Sequence, residues 1–394
     1  MTGRLLILSL YYPPDLSACA FRTTALVDAL TRAAPDLAID VVTSLPNRYH
    51  SFHTEAPALE HHGAVTIRRL PIPSHRSDMV TQAAAYARFA WRAARVARAR
   101  PYDMVFATSS RLMTAALGSW VSRRAKVPLY LDIRDLFVDT MADILPAKVA
   151  MVVGPGASVL ERWTMTRAAH INLVSAGFAG YFQQRYPAVP LTFFTNGIDD
   201  EFLEPGAGPV SRVETLPRTV VYAGNMGEGQ GLHAVVPQLA SMLDADVRFR
   251  LIGDGGRRQQ LLDELSRAGV HNVELLPPMP RARLIDEYRT ADVLFLHLNA
   301  HEAFTRVLPS KIFEYAALGK PIWAGVAGHA AEFLRAEVSN AAVFPPCDAE
   351  AGVRAWRTLT LADAPRQDFV AKFARQNIMR AFAADILRQM RVVS

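Results

Sequence analysis

Short apolar, β-branched runs alternate with longer helical stretches along almost the whole chain, and the alternation starts afresh after a loop-rich break near Asn196. That pattern constrains the fold strongly. A parallel strand pair needs a crossover long enough to hold a helix, so repeated strand–helix alternation builds parallel sheets covered by helices. In the first half, strands are expected at residues 5–10, 39–44, 65–70, 104–107, 129–132, 171–174 and 191–195. Helices are expected over 22–34, 81–99, 112–124 and 150–167, the last broken at Gly154-Pro155-Gly156. The second half repeats the scheme with strands at 220–223, 248–252, 273–275, 293–298, 322–324 and 342–344. Beyond Asp363, the residues Phe369, Phe373, Ile378, Phe382 and Ile386 recur near helical spacing and predict one or two terminal helices.

Between the halves, IDDEFLEPGAGPVSRVETLPR is rich in Pro, Gly and acidic residues and lacks apolar periodicity, which reads as a linker. The expected organisation is therefore a first Rossmann-like domain at 1–196, a linker at 197–218 and a second Rossmann-like domain at 219–369. A chain of 394 residues is too long for one compact core and suits two. With 51% hydrophobic and 20% charged residues, and no run of roughly 18 apolar residues, it reads as a soluble or peripheral α/β protein. The start, MTGRLLILSLYYPPD, passes from a short apolar run into a Pro-Pro turn and reads as the first strand. Cys19 and Cys347 stand far apart, form no metal-ligand cluster and suit a reducing cytoplasm.

The formal charge is +6 and the pI near 9.4, but the excess is mostly arginine spread through Ala-rich helices, so no nucleic-acid partner is expected. The densest basic segment is YARFAWRAARVARAR, where Arg88, Arg92, Arg95 and Arg98 recur at helical spacing beside Phe89 and Trp91. Such a helix can lie on an anionic membrane surface, or pack its apolar side on a sheet with the arginines in solvent.

Doubly wound sheets take ligands at the carboxyl ends of their strands, so the turns there are the place to look for chemistry. In YYPPDLSACAFR, small residues around Ser17 precede a helix, and Arg22 on its first turn is expected to face the cleft. In AGNMGEGQG, glycines from Gly224 onward allow backbone N–H groups to approach a phosphate, with Asn225 beside them. Gly253 and Gly255 lie in a third turn, followed by Arg257 and Arg258. LDIRDLFVD gathers Asp132, Arg134, Asp135 and Asp139 at a strand end, able to shift one another's pKa and bind a polar substrate. Three acids around an arginine, with no histidine, make a poor metal site, and no metal is expected. In LPSKIFEYAALGKP, Ser310 opens a helix, Lys311 would add a full positive charge for a diphosphate, and Glu314 could take two hydroxyls of a ribose.

Taken in order, YYPPD, LDIRDLFVD, TNGID, YAGNMGEGQGL, LIGDGG and LPSKIFEYAALGKP resemble the GT-B glycosyltransferases of family 4, most closely a bacterial polysaccharide branch of L-fucosamine transferase-like proteins. The resemblance implies two Rossmann-like domains facing across a cleft, with a terminal helix from about residue 370 packing back on the first. It implies a retaining, metal-independent transferase without a cofactor. The enzyme would move a sugar from a nucleotide-diphosphate donor to an acceptor hydroxyl of a carbohydrate in the cytoplasm, and the basic helix near Arg92 would suit a lipid-linked acceptor at the inner membrane face. Gly224, Asn225 and Lys311 would meet the diphosphate, Glu314 the ribose, and the Ser17 loop would approach from the other domain.

The sequence also departs from the family. Where relatives carry the first Glu of Glu-x7-Glu, this chain has Arg306, and the nearest acid is Glu302; the usual Arg and Lys of the phosphate loop fall on Asn225 and Gln230. Arg22, Arg134, Arg257 and Arg306 are candidates to compensate. The departures keep open a non-catalytic nucleotide-sugar-binding protein of the same fold. A nucleotide-sugar epimerase would need acids or histidines poised for proton transfer, and His50, His53, His61, His62 and His170 lie in none of these turns.

Overall fold

The computed structural model describes residues 3–15, 17–46, 55–72, 79–109, 112–144, 147–203 and 216–393. His50, His53 and most of the expected linker lie outside these residues. The chain divides into two compact units, one formed by Met1–Asn196 with Arg375–Ser394, the other by Gly197–Ala374.

In the first unit the strands are β1 (Gly3–Leu8), β2 (Leu37–Ser44), β3 (Leu59–His62), β4 (Val65–Leu70), β5 (Met104–Ser109), β6 (Leu129–Ile133), β7 (His170–Leu173) and β8 (Leu191–Thr192). They form one sheet in the order β3-β4-β2-β1-β5-β6-β7-β8, parallel except for the antiparallel edge strand β3. The sequence pattern passed over β3 because Leu-Glu-His-His carries one apolar residue and hugs an edge, where burial demands little. Its helices are α1 (Ala18–Ala33), α2 (Met79–Arg98), α3 (Leu112–Ala125), α4 (Phe137–Ile144), α5 (Ala147–Met165) and α6 (Ala179–Arg185). The break expected at Gly154-Pro155-Gly156 is absent, since α5 runs through it. Pro155 is exposed, so the carbonyl it leaves unbonded can be met by water.

The second unit holds β9 (Arg218–Asn225), β10 (Val247–Asp254), β11 (Val273–Leu276), β12 (Val293–His297), β13 (Ile322–Gly325) and β14 (Ala341–Phe344), all parallel, in the order β11-β10-β9-β12-β13-β14. Helices α7 (Leu232–Met242), α8 (Arg258–Ala268), α9 (Arg281–Thr290), α10 (Lys311–Ala317), α11 (Gly328–Glu337), α12 (Ala349–Thr358) and α13 (Gln367–Phe373) complete it. Its core stacks Phe249, Phe295, Trp323 and Phe344 between sheet and helices.

The last helix, α14 (Arg375–Val393), belongs to the first unit. Met379, Phe382, Ala383, Ile386 and Met390 recur at helical spacing and are fully or almost fully buried in that unit's core, Phe382 stacking on Phe194 at 4.9 Å between centroids. Tyr130 on β6 donates to Asp385 on α14 at 2.6 Å, both buried. Where the chain leaves the first unit and returns to it, Ile198 donates to Phe373 O at 2.8 Å and pairs with Ala374 in a parallel bridge.

Candidate functional site

In the second unit β9 and β10 run further than their apolar cores suggest, pairing Gly224 with Gly253 and Asn225 with Asp254. Both glycines adopt positive φ, +144° and +143°. A Cβ at Gly253 would run into the carbonyl of Gly224, and one at Gly255 into the backbone of Met226. Gly253 and Gly255 therefore let two turns touch, which differs from the direct ligand contact the sequence suggested. Met226 completes the join, donating to Asp254 O and accepting from Arg257 N, both at 2.9 Å.

Gly224 has a different neighbour. Its missing side chain leaves room for the ammonium and Cε of Lys311, which a Cβ would displace. Lys311 Nζ also stands 5.4 Å from the ring centroid of Tyr222, whose hydroxyl donates to Asn225 O at 2.5 Å. Beneath lie Tyr288 and Tyr315, fully buried and edge to face at 5.1 Å. Burial pushes both phenols far above their ordinary pKa, so they are neutral, and the Tyr315 hydroxyl accepts from Ala223 N at 3.4 Å. A cation over a neutral aromatic floor is a place for an anion.

Ser310 precedes α10 in an αR conformation and makes no side-chain cap. With only seven residues in α10, the field of its backbone is small beside the full charge of Lys311, so the ammonium dominates the positive potential here. Glu314, half-buried on the first turn, stands in the field of Arg281. Burial alone would lower the Arg281 pKa, but Asp199, Glu314 and Glu201 together raise it; Arg281 is ion-paired to Asp199 and Glu201 and lies over Phe202 at 5.0 Å.

The glycine-rich turn is braced from within. Gln230 Oε1 accepts from Asn225 Nδ2 at 2.8 Å and from Gly227 N at 3.2 Å, so Asn225 closes the loop as well as bordering it. His297, fully buried at the end of β12, accepts from Cys347 N at 2.9 Å through Nε2, which leaves the proton on Nδ1 to donate to Gln230 O at 2.7 Å. Burial pushes its pKa down to about 4 against the opposing bond to Gln230. Asn299 donates to Glu228 O at 2.8 Å, and its backbone N to Gly229 O at 2.9 Å.

Sequence reasoning passed over Glu228, His297 and His301. Glu228 accepts from Arg257 Nε at 2.6 Å and lies 3.3 Å from His301 Nε2. Burial works to raise its carboxyl, but the bonds to His301 and Arg257 outweigh it and hold the pKa below the ordinary value. Arg257 is thus engaged with Glu228, and Arg306, on the 3-10 turn Glu302–Arg306, lies 3.5 Å from Glu302. The sequence signal was a Glu inside a glycine run, one histidine ending a buried strand and another just beyond it, and an Arg at the start of the neighbouring helix.

The first unit corrects the expectation for Arg22. Its side chain is 1% exposed, donating from Nε and Nη2 to Asp132 at 3.0 Å each, from Nη1 to Thr195 O at 2.5 Å and from Nη2 to Phe194 O at 2.7 Å. Asn172 donates to the same carboxylate at 2.7 Å. Arg22 sits one turn into α1, where its long side chain turns inward to the buried carboxylate of Asp132. Burial opposes the charge of Asp132, yet Arg22 holds its pKa below the usual carboxylate range. Four of its donors are spent on the protein, so it is a brace and not a phosphate ligand. Ser17 is the N-cap of α1, its Oγ accepting from Ala20 N at 3.1 Å. Asp135 is exposed on the turn between β6 and α4, so the acids of LDIRDLFVD separate into a buried brace and a surface group. Among the described residues, no group of three His, Cys, Asp or Glu side chains could hold a metal ion.

Residues 18–197 match the family described as Glycosyl transferase 4-like domain, and residues 217–361 match the one described as Glycosyl transferases group 1. A protein of Escherichia coli (strain K12) named as a colanic acid biosynthesis glycosyl transferase, WcaI, is 28% identical over 102 residues, 26% of this chain and 25% of that protein's length. The match thus spans a quarter of that relative. Among solved structures, sucrose-phosphate synthase from Thermosynechococcus elongatus superposes with a TM-score of 0.76 at 15% identity, covering 100% of both chains. HepE from Anabaena, solved with UDP-glucose, gives 0.68 at 16% identity over 98% of this chain and 99% of the other. The α,α-trehalose 6-phosphate synthase from Burkholderia multivorans gives 0.68 at 14%, over 100% and 97%. These similarities establish the fold as two Rossmann-like domains of the GT-B kind.

Proposed function

We propose, for a chain that carries a glycosyl transferase 4-like domain followed by a glycosyl transferases group 1 domain on the GT-B fold, that it moves a sugar from a nucleoside-diphosphate sugar to an acceptor hydroxyl with retention of configuration. One observation carries the reading: the Lys311 ammonium lies against Gly224 over the ring of Tyr222, at the carboxyl edge of the second sheet. A diphosphate seated there meets a full charge and a glycine turn with no side chain in its way. Glu314, one turn further on, takes the ribose hydroxyls.

In the reaction the anomeric C–O bond to the diphosphate breaks while the acceptor oxygen bonds to the same face of the sugar, and the acceptor proton passes to the departing phosphate oxygen. The cost lies in the charge that develops on the leaving group. Lys311 stabilises that charge from a position fixed before the reaction begins. No metal and no further cofactor enters this scheme. A nucleotide-sugar donor is supported by the structural neighbour HepE, solved with UDP-glucose, and a role in bacterial polysaccharide or glycoconjugate assembly by the one partly matching protein named for colanic acid biosynthesis.

A nucleotide-sugar binder without turnover is the second reading. It is favoured by Arg306, which occupies the place of an acid in relatives and is paired with Glu302. His297 offers no proton-transfer group to an epimerase, because both of its ring nitrogens are committed to the backbone.

The test measures binding and release of nucleoside diphosphate across a panel of nucleotide sugars, for the natural protein and Lys311→Ala. The natural protein should bind one donor class and hydrolyse it slowly without acceptor, and the variant should lose about 3 kcal/mol of transition-state stabilisation, a hundredfold or more in rate. Near-normal turnover in the variant would sink the reading, and binding with no release would establish the second one.

A further inference from the structure

Helix α3 packs against both α2 and α5 in the first unit, and the three line one surface groove. They carry Arg88, Arg92, Arg95, Arg98, Arg123, Arg124, Lys148 and Arg162. Their one acid, Glu161, is buried and accepts from Tyr181 and Tyr186 at 2.6 and 2.7 Å. Each tryptophan on these helices stands against an arginine: Arg95 over Trp91 at 4.7 Å, Arg98 over Trp120 at 5.1 Å and Arg123 over Trp163 at 4.8 Å. Trp91, Trp120 and Trp163 also line one groove of ≈ 470 Å³ with Met113.

Helix α5 adds an apolar stripe. Val149, Val152, Val159 and Trp163 follow one another at spacings of three, seven and four, which is one side of a helix, and lead to the groove. Val152 is 77% exposed, Val159 70% and neighbouring Met151 73%; across the groove Trp91 is 61% exposed. Large side chains with so little cover come in a patch here, and a soluble surface rarely leaves such a patch without a use.

We propose that this face docks the protein on an anionic lipid bilayer, with the valine stripe and Trp91 entering the headgroup boundary and the arginines meeting lipid phosphates. Charge complementarity selects the occupant: the three helices present cations, tryptophans and exposed aliphatics and no exposed acid, the composition that suits a negatively charged interface. Tryptophan rings held under guanidinium groups are amphipathic anchors for that depth. Among the described residues no helix is long and apolar enough to cross a membrane, so the contact is a surface one. The inference is independent of the donor site, whose residues lie in the other unit.

The full chain and two variants, Val152→Asp/Val159→Asp and Arg95→Gln/Arg98→Gln, are tested by co-sedimentation with vesicles of phosphatidylcholine alone and with 30% phosphatidylglycerol. All four positions are exposed, so the variants should melt as the natural protein does. The natural protein should bind the anionic vesicles only, with Trp fluorescence shifted to the blue and binding weakened by salt. The arginine pair should lower affinity by about fivefold per arginine, and the aspartates should abolish it. Equal binding to neutral vesicles, or anionic binding untouched by the aspartates, overturns the proposal, the latter pointing to a polyanion other than lipid. A dimer in sedimentation velocity that the aspartates dissolve, without vesicle binding, overturns it in favour of a second copy of the chain.

Discussion

The ammonium of Lys311 stands in the space that a side chain on Gly224 would need, so the two positions are coupled although they lie 87 positions apart in sequence. The glycine is required twice, once by its φ of +144° and once by its neighbour.

Gly224→Ala should therefore displace Lys311 and weaken donor binding by about 1–3 kcal/mol, the range expected for a lost charge-assisted contact plus backbone strain. Titration calorimetry with the preferred nucleoside diphosphate reads the effect. In a double-mutant cycle with Lys311→Ala the losses should not add. Additive losses would separate the two residues.

Arg22→Ala should cost about 3–5 kcal/mol of stability, because it leaves Asp132 ionised and buried without its partner. Urea unfolding followed by circular dichroism measures it. A variant as stable as the natural protein, but with lost donor affinity, would return Arg22 to the role of a ligand.

His297 gives the second unit a pH dependence with a definite sign. Its folded pKa of about 4 lies below the ordinary 6.5, so between these values the unfolded chain binds the proton and the folded one does not. Stability is fully present above pH 6.5 and falls as the pH drops to 4, by up to about 3 kcal/mol. The melting temperature across pH 4–7 should show this slope, and His297→Gln should flatten it. An unchanged slope in the variant would assign the titration elsewhere.

A chain ending at Ala374 should yield no soluble first unit, since α14 supplies Phe382, Ile386 and Met390 to its core and Asp385 to Tyr130. Expression of residues 1–374 and 1–394 side by side decides it. Equal solubility and equal melting would show the helix to be dispensable.

Much of this fold was legible in the sequence, because buried parallel strands are unbroken apolar runs and amphipathic helices keep their period. β4 was read to the residue, and the terminal stripe through Phe382 and Ile386 was read as a helix. β3 was not, having no buried face to leave a pattern. At the candidate site, Lys311 and Glu314 could be named from a turn and a spacing. What the residues do to each other could not, because it depends on contacts across long separations. Arg22 looked like a phosphate ligand until Asp132, 110 positions away, was seen to hold it. Gly253 looked like a ligand loop until Gly224 filled the space beside it.

The excursion out of the first unit at Asn196 and the return at Arg375 impose an order of assembly. Since a ribosome releases the chain from its amino end, the continuous stretch 197–374 is complete while the earlier-made portion still lacks its closing helix. The unit that begins second should finish first, and the half-built partner must keep its unfilled apolar seam out of trouble until Arg375–Ser394 emerges.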